Sequence, residues 1–370
     1  MTDNLEIRTT KIENPLKIEL KERITREMLM PDFGVPGSFI SIPKRDDKYK
    51  FFNPNKFLSP NNWVYHEEIV DKVLVGDYKD IMPYSAELVA TMNCTNRCKI
   101  PCSYMIQKMI EDDWLQNNFK VPRIHMQDEG FGKMLIDKLL VGGVKGIIFT
   151  GGGEPFLFRG VENLIAYCTS NGADVTFYTN GNSVSEARIE KVIEAKPLLG
   201  RVSLNCGTKE VYNQFHAPSN PHNAFENTLR TIKALAKGSL SNPNMGVGIG
   251  VVINEINKDD LVETGLRIRE IVEETGGGIE FIAYRPAYNY NAGQQLESNF
   301  LDEAYEVVET KVREVLKGTN VRVANIKCRY DALKEEDRGY VKCRASGLYA
   351  EVSPSGETHI CCDRNCHRAY

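Results

Sequence analysis

The sequence predicts an α/β fold, a partial (β/α)6 barrel of the TIM type with a small Cys-rich C-terminal extension. Three observations carry this expectation. From residue 86 onward, short runs rich in Val, Ile, Phe and Tyr alternate with helical patterns. Six such runs occur, and strand–helix–strand repeats of this kind build a parallel sheet through right-handed crossovers. Beyond residue 318 the composition shifts, and cysteines cluster. The expected division is an N-terminal extension over 1–85, the barrel over 86–318 and the Cys-rich region over 319–370.

In chain order, residues 1–85 carry repeated Pro and Asn (PDFGVPGSF, FFNPNKFLSPNN) and read as loop with short helices, one of them over Lys17–Met30. The expected strands are Glu87–Met92, Gly146–Thr150, Asp174–Thr179, Arg201–Asn205, Gly246–Ile253 and Gly278–Tyr284. Ser183 with Glu186 makes a capping-box signature for a helix. Asn223 precedes a helix whose apolar face is Phe225, Leu229, Ile232 and Leu235. Asp259 or Asp260 starts another, with Leu261, Leu266, Ile268 and Ile271. A last helix over Asp302–Lys317 closes the barrel unit. GLYAEVSPSGETHIC then reads as a hairpin joined by a Pro-Ser-Gly turn. In a barrel of this type the C-terminal ends of the strands carry the active site.

The chain has 370 residues, a net charge of −4, 42% apolar and 26% charged residues. This composition suits an ordinary globular protein. The mild acidity and the lack of a basic stripe argue against a nucleic-acid partner. No signal peptide or membrane-length apolar run stands out, so no membrane association and a cytoplasmic location are expected. Ten cysteines in such a chain are not expected to form a disulfide framework. Cys168 reads as a buried small hydrophobe.

The motif CTNRCKIPC places Cys94, Cys98 and Cys102 on a loop directly after the first strand. Close-spaced thiols in this setting suggest metal. Zinc usually takes four ligands, and no fourth is near. Three thiolates suit an iron–sulfur cube with one iron left open. The plain alternative is three free cysteines. The second strand runs straight into GGGEP, residues 151–155. Glycines there let a backbone approach a ligand closely, and Glu154 could pair with an ammonium group. Alone, such a run is as readily a tight turn.

Together these two motifs resemble the radical S-adenosylmethionine (SAM) superfamily, whose catalytic core residues 86–290 would cover. The resemblance implies that Cys94, Cys98 and Cys102 hold a [4Fe-4S] cluster whose open iron takes the amino and carboxylate groups of SAM. It implies that Gly151, Gly152, Gly153 and Glu154 meet the SAM amino group. Asn180, Ser203 and Asn205 would contact ribose and carboxylate, GVGIGVVI would cradle adenine, and Arg285 would face substrate or the SAM carboxylate. The cysteine spacing of three and three departs from the family's usual three and two, with Ile100 and Pro101 where an aromatic usually stands and Tyr104 only after the third thiol. The loop is therefore expected to bulge by one residue, with Pro101 fixing part of the bulge. The same spacing resembles that of a sugar-modifying dehydratase of the family.

Cys343, Gly356 and Cys361 resemble the opening of the SPASM or twitch extension, which carries auxiliary iron–sulfur clusters. Cys362, Cys366 and Cys328 could complete one such cluster; zinc held by the same thiols, with His359 or His367, is the alternative. The family implies reductive cleavage of SAM and removal of a hydrogen atom from a substrate. A ribosomally made precursor peptide is the expected substrate, with a sugar or aminoglycoside as the second reading. Flavodoxin or ferredoxin would donate electrons, and a separate protein could recognise the peptide. An iron–sulfur scaffold or redox sensor without turnover is the competing class. Tyr284, Tyr288 and Tyr290 could quench a radical or line the barrel mouth. Cys206 is a candidate hydrogen donor, or a buried thiol.

Overall fold

The computed structural model describes residues 72, 81, 83–99, 125–242, 244–287, 298–327, 330–331 and 349–359. The expected Lys17–Met30 helix, Ile100, Pro101, Tyr104, Tyr288, Tyr290 and the cysteines at 102, 328, 343, 361, 362 and 366 lie outside them.

Among the described residues a single sheet of nine strands organises the fold. In order along the sequence these are β1 (Ser85–Leu88), β2 (Gly146–Phe149), β3 (Asp174–Thr179), β4 (Leu199–Ser203), β5 (Gly246–Ile253), β6 (Phe281–Pro286), β7 (Arg322–Asn325), β8 (Tyr349–Val352) and β9 (Thr358–His359). Their order across the sheet is β7-β6-β5-β4-β3-β2-β1-β8-β9. β1 to β7 run parallel, each beside the next. This is the sequential parallel order expected of a partial TIM-like barrel. β8 joins the other side of β1, also parallel, with Ser85 opposite Tyr349 and Leu88 opposite Val352. β9 returns antiparallel on β8, and Gly356 takes φ +86° in the turn between them. The expected hairpin is therefore present, but its first strand also extends the main sheet.

The helices are α1 (Glu129–Val141), α2 (Val161–Ser170), α3 (Glu186–Glu194), α4 (Lys209–His216), α5 (Ala224–Ser241), α6 (Leu261–Thr275), α7 (Ser298–Val307) and α8 (Arg313–Leu316), the last two joined by a π-helical turn over Val308–Val312. Alternate strand residues such as Phe149, Val175, Val202, Ile249 and Ile282 form one core with Leu164, Ile189, Ile232 and Ile268 of the helices. The opposite, inner face carries the residues between them. No helix among the described residues is long and apolar enough to cross a membrane.

Several local expectations are corrected. The first strand ends at Leu88, and Ala90–Met92 already belongs to the loop. β4 starts two residues earlier than the apolar run implied, and its end is set by Asn205 at φ +62°, a turn conformation rather than a strand one. β6 begins at Phe281, because the three glycines 276–278 all take positive φ. Ser185, not Ser183, stands at the N-cap of α3, without a side-chain capping hydrogen bond, so Glu186 is the first helical residue and no capping box forms. Asp260 begins α6, whose Leu266 is 37% exposed and not on the buried face.

Candidate active site

Two loops meet at the C-terminal ends of β1 and β2. The loop after β1 carries Cys94 and Cys98, both half-buried. The loop after β2 is Gly151–Gly153. Added β-carbons there would lie 2.4 Å from Val89 Cγ2, 2.0 Å from Met92 Cε and 2.1 Å from Asn93 O for Gly151, Gly152 and Gly153 respectively. The glycines thus let the cysteine loop lie directly on the second loop, and Glu154 N donates to Asn93 O at 2.7 Å. Close approach was the expected purpose of these glycines, but much of it serves loop on loop.

The cysteine loop is also tied to the ends of β3 and α4. Asn96 N donates to Cys94 Sγ at 3.4 Å, and Asn180 Nδ2 reaches the same sulfur at 3.7 Å. Asn180 Nδ2 also donates to Thr95 Oγ1 at 3.1 Å, Thr95 Oγ1 to Asn182 Oδ1 at 2.7 Å, and Asn182 Nδ2 to Asn96 Oδ1 at 2.6 Å. His216, the last residue of α4, lies beneath. Its Nδ1 is 3.3 Å from Cys98 Sγ and 3.2 Å from Asn96 Nδ2, and its Nε2 is 3.2 Å from Leu204 O. Burial pushes the His216 pKa down to about 4, so the ring is neutral at pH 7. A neutral imidazole donates from one nitrogen and accepts at the other. Backbone bonds from Arg97 N to His216 O and from Lys99 N to Phe215 O, each 2.9 Å, fasten the loop further.

Glu154 is 2% exposed. Its Oε1 accepts from Thr179 Oγ1 at 2.7 Å and Phe156 N at 3.2 Å, and its Oε2 from Asn180 N at 2.6 Å. Burial raises its pKa against these hydrogen bonds. The carboxylate therefore joins β2 to β3 and caps the short 3-10 turn Pro155–Leu157. Oε1 is thereby saturated, while Oε2 keeps lone-pair capacity for one more donor.

The remaining expected residues divide. Ser203 ends β4 on the inner face, half-buried. Arg285 is exposed near the end of β6. Asn205 is buried and engaged within the protein: its Oδ1 accepts from Val252 N at 2.8 Å, and its Nδ2 sits 3.3 Å from His216 Nε2. Tyr284 is 2% exposed and its hydroxyl donates to Leu261 O at 3.1 Å, on the helix side rather than at the mouth. Cys206 and Cys168 are both fully buried, and burial raises both thiol pKa values, so they stay protonated. His216, Asn96 and Asn182 were not singled out from sequence, whereas Asn180 was. A lone histidine before Ala-Pro carries no motif signal, and only its place at the end of a helix could have drawn notice.

The chemistry of the donors fits an iron–sulfur cluster. Two half-exposed thiols stand on one loop at the strand ends, and one of them already receives an N–H and an amide donor, contacts that suit a thiolate. Cys94 and Cys98 would hold the cluster from this loop. Among the described residues no group of three metal-binding side chains occurs; the third cysteine of the motif, Cys102, lies outside them.

Comparison with known proteins agrees. Residues 92–268 match the model of the Radical SAM superfamily. The chain is 22% identical over 268 residues to the sporulation killing factor maturation protein SkfB of Bacillus subtilis, covering 70% of this chain and 54% of SkfB. It is 25% identical over 252 residues to dTDP-4-amino-4,6-dideoxy-D-glucose ammonia-lyase of Streptomyces venezuelae, covering 66% and 48%. The chain thus spans about half the length of the curated relatives it matches. Among solved structures, Streptococcus suis SuiB bound to S-adenosylmethionine superposes with a TM-score of 0.59 at 15% identity, covering 86% of this chain and 68% of SuiB. A thiol-bearing loop seated on a glycine loop, at the C-terminal ends of sequential parallel strands, coincides with the matched segment: residues 92–268 carry a radical SAM superfamily domain.

Proposed function

We propose that this protein is a radical SAM enzyme acting on a ribosomally made precursor peptide, by epimerisation, cross-linking or excision. The observation that carries the catalytic part is the meeting of the Cys94–Cys98 loop with Gly151–Gly153 and the buried Glu154 at the strand ends, within the segment 92–268 that matches the Radical SAM superfamily. When bound, the [4Fe-4S] cluster and SAM supply the electron transfer and radical that remove hydrogen from an unactivated carbon. Cys94, Cys98 and Cys102 would hold the cluster. Carbonyls of Gly151–Gly153 and the fixed carboxylate of Glu154 would receive the SAM ammonium. Ser203, half-buried at the end of β4, can donate to ribose. The asparagine chain 96–180–182 and His216 keep the loop from shifting when the ligands arrive.

The peptide reading draws support from SkfB, a maturation protein, and from the fold shared with SuiB, which is known bound to its precursor peptide SuiA. The sugar reading keeps one specific support, the Streptomyces ammonia-lyase, together with the cysteine spacing. Cys328, Cys343, Cys361, Cys362 and Cys366 are proposed to hold an auxiliary cluster, and a flavodoxin or ferredoxin to reduce the enzyme. The test is anaerobic: reconstitution with iron and sulfide, reduction, addition of SAM, then assay of 5′-deoxyadenosine. Its formation, with about eight irons per chain, is the expected result. About four irons would remove the auxiliary cluster, and a loaded cluster without cleavage would return the protein to the scaffold class. Stimulation of cleavage by precursor peptides, rather than nucleotide sugars, separates the two substrate readings.

A further inference from the structure

The inner face of the sheet holds a cation that this chemistry does not use. Strand alternation puts Arg201 and Ser203 on the face opposite Val202, which is buried among the helices. Arg201 stands in register with Tyr178 of β3 and Gly248 of β5; Ser203, nearer the C-terminal edge, stands beside Gly250. The guanidinium climbs to that upper row, since a β-carbon on Gly250 would lie 2.8 Å from both Nε and Nη2. Its Cζ rests 5.0 Å from the centre of the Tyr178 ring. Gly246, Gly248 and Gly250 leave the inner face of β5 without side chains over this stretch. Among the described residues the Arg201 side chain makes no hydrogen bond or ion pair, and although the residue is half-buried its Nε is buried without a partner. A guanidinium is permanently cationic, and partial withdrawal of a charge from water without a counter-ion carries a cost.

We propose that Arg201 anchors an oxyanion of the substrate, a carboxylate or a phosphate, on the inner wall of the barrel. The inference rests on the reading above that Gly151–Glu154 take the SAM amino group. That site ends β2, whereas Arg201 is two strands away, about 10 Å at the usual strand spacing, and leans on toward β5. The amino and carboxylate groups of SAM share one carbon, so its one oxyanion stays with β2, and the parts of SAM that Ser203 and β5 would meet, ribose and adenine, carry no negative charge. The group opposite Arg201 is then the substrate's, and a planar guanidinium suits an oxyanion through paired N–H bonds.

Reconstituted full-length protein, titrated calorimetrically with inorganic phosphate and separately with N-acetylglutamate, tests this. The wild type is expected to bind one of the two saturably, which tells a phosphate from a carboxylate. Arg201→Met is expected to weaken that binding about tenfold or more, and Arg201→Lys less. Gly250→Ala keeps the charge but displaces the guanidinium, and is expected to weaken binding too. Equal binding in Arg201→Met, or no saturable binding of either probe to the wild type, overturns the proposal. So does a tenfold loss of SAM affinity in Arg201→Met without probe binding, which would give the guanidinium to SAM. Probe binding through Arg201 in a protein that forms no 5′-deoxyadenosine would sink the catalytic reading and leave the oxyanion site standing.

Discussion

Gly153 has no room for a methyl group. A β-carbon there meets Asn93 O at 2.1 Å, a backbone atom of the cysteine loop that cannot rotate away. Gly153→Ala should therefore push the loop off its seat, costing about 2–3 kcal/mol and lowering the iron retained after reconstitution. Wild-type iron content and urea midpoint in that variant would show that the two loops do not depend on each other. His216 makes the complementary case. Its ring touches Cys98, Asn96, Asn205 and Leu204 O, so His216→Phe keeps the bulk but leaves those groups without their partner. The expected loss is about 2–3 kcal/mol, with an altered electron paramagnetic resonance signal of the reduced cluster, because hydrogen bonds near cluster sulfurs tune it. An unaltered signal would mean that His216 only fills space. The thiols and glycines were legible because their chemistry is written in spacing. The histidine was not, because its role exists only once α4 has folded against the loop.

Elements behind the site are held by fewer, stronger contacts. Arg188 of α3 donates Nε and Nη2 to Glu162 Oε2 of α2 at 3.0 and 2.6 Å, Nη1 to Phe156 O at 2.5 Å and Nη2 to Phe158 O at 3.0 Å. It thereby clamps two helices and the turn that follows the glycine loop. Burial acts to raise the Glu162 pKa, but the hydrogen bonds and charge of Arg188 outweigh it and the pKa is lowered. A depressed carboxylate contributes stability above its unfolded pKa and loses it as pH falls through the folded one. Glu162→Gln should accordingly be less stable than wild type by about 1–2 kcal/mol at pH 7, and the gap should close in acid, below the ordinary glutamate pKa. Urea unfolding at both pH values measures this, and a gap that persists or widens in acid contradicts the ionic account. The clamp was illegible in sequence because Glu162 and Arg188 lie on different helices. Strands were legible where pairing leaves no choice: β3 and β5 match their apolar runs, whereas β4 is shifted to Leu199–Ser203 by its register with Thr176–Thr179.

At the scale of the whole molecule, the sequential order β1 to β6 followed from alternation alone, but both outer additions did not. β7 is four residues long with a charged first residue, too short to signal itself, and it finds its place by pairing with β6. β8 was legible as one arm of a hairpin, yet its alternation cannot say which other edge it joins. Its place beside β1 matters for the site. Val89 N, where the cysteine loop leaves the strand, donates to Val352 O at 2.9 Å, and Val352 itself is 2% exposed in the common core. β8 thus buttresses a loop distant in sequence. Val352→Asp would place a charge in that core at a cost of about 3 kcal/mol or more, concentrated on β8 and its neighbour. Hydrogen exchange should then speed up at the amides of Ser85–Val89 before it does at β4 or β5, and iron should be lost from the Cys94 loop without any change in its residues. Uniform acceleration across all strands would mean that the sheet unfolds as one unit. Unchanged exchange at Ser85–Val89 would mean that β1 holds its loop without β8.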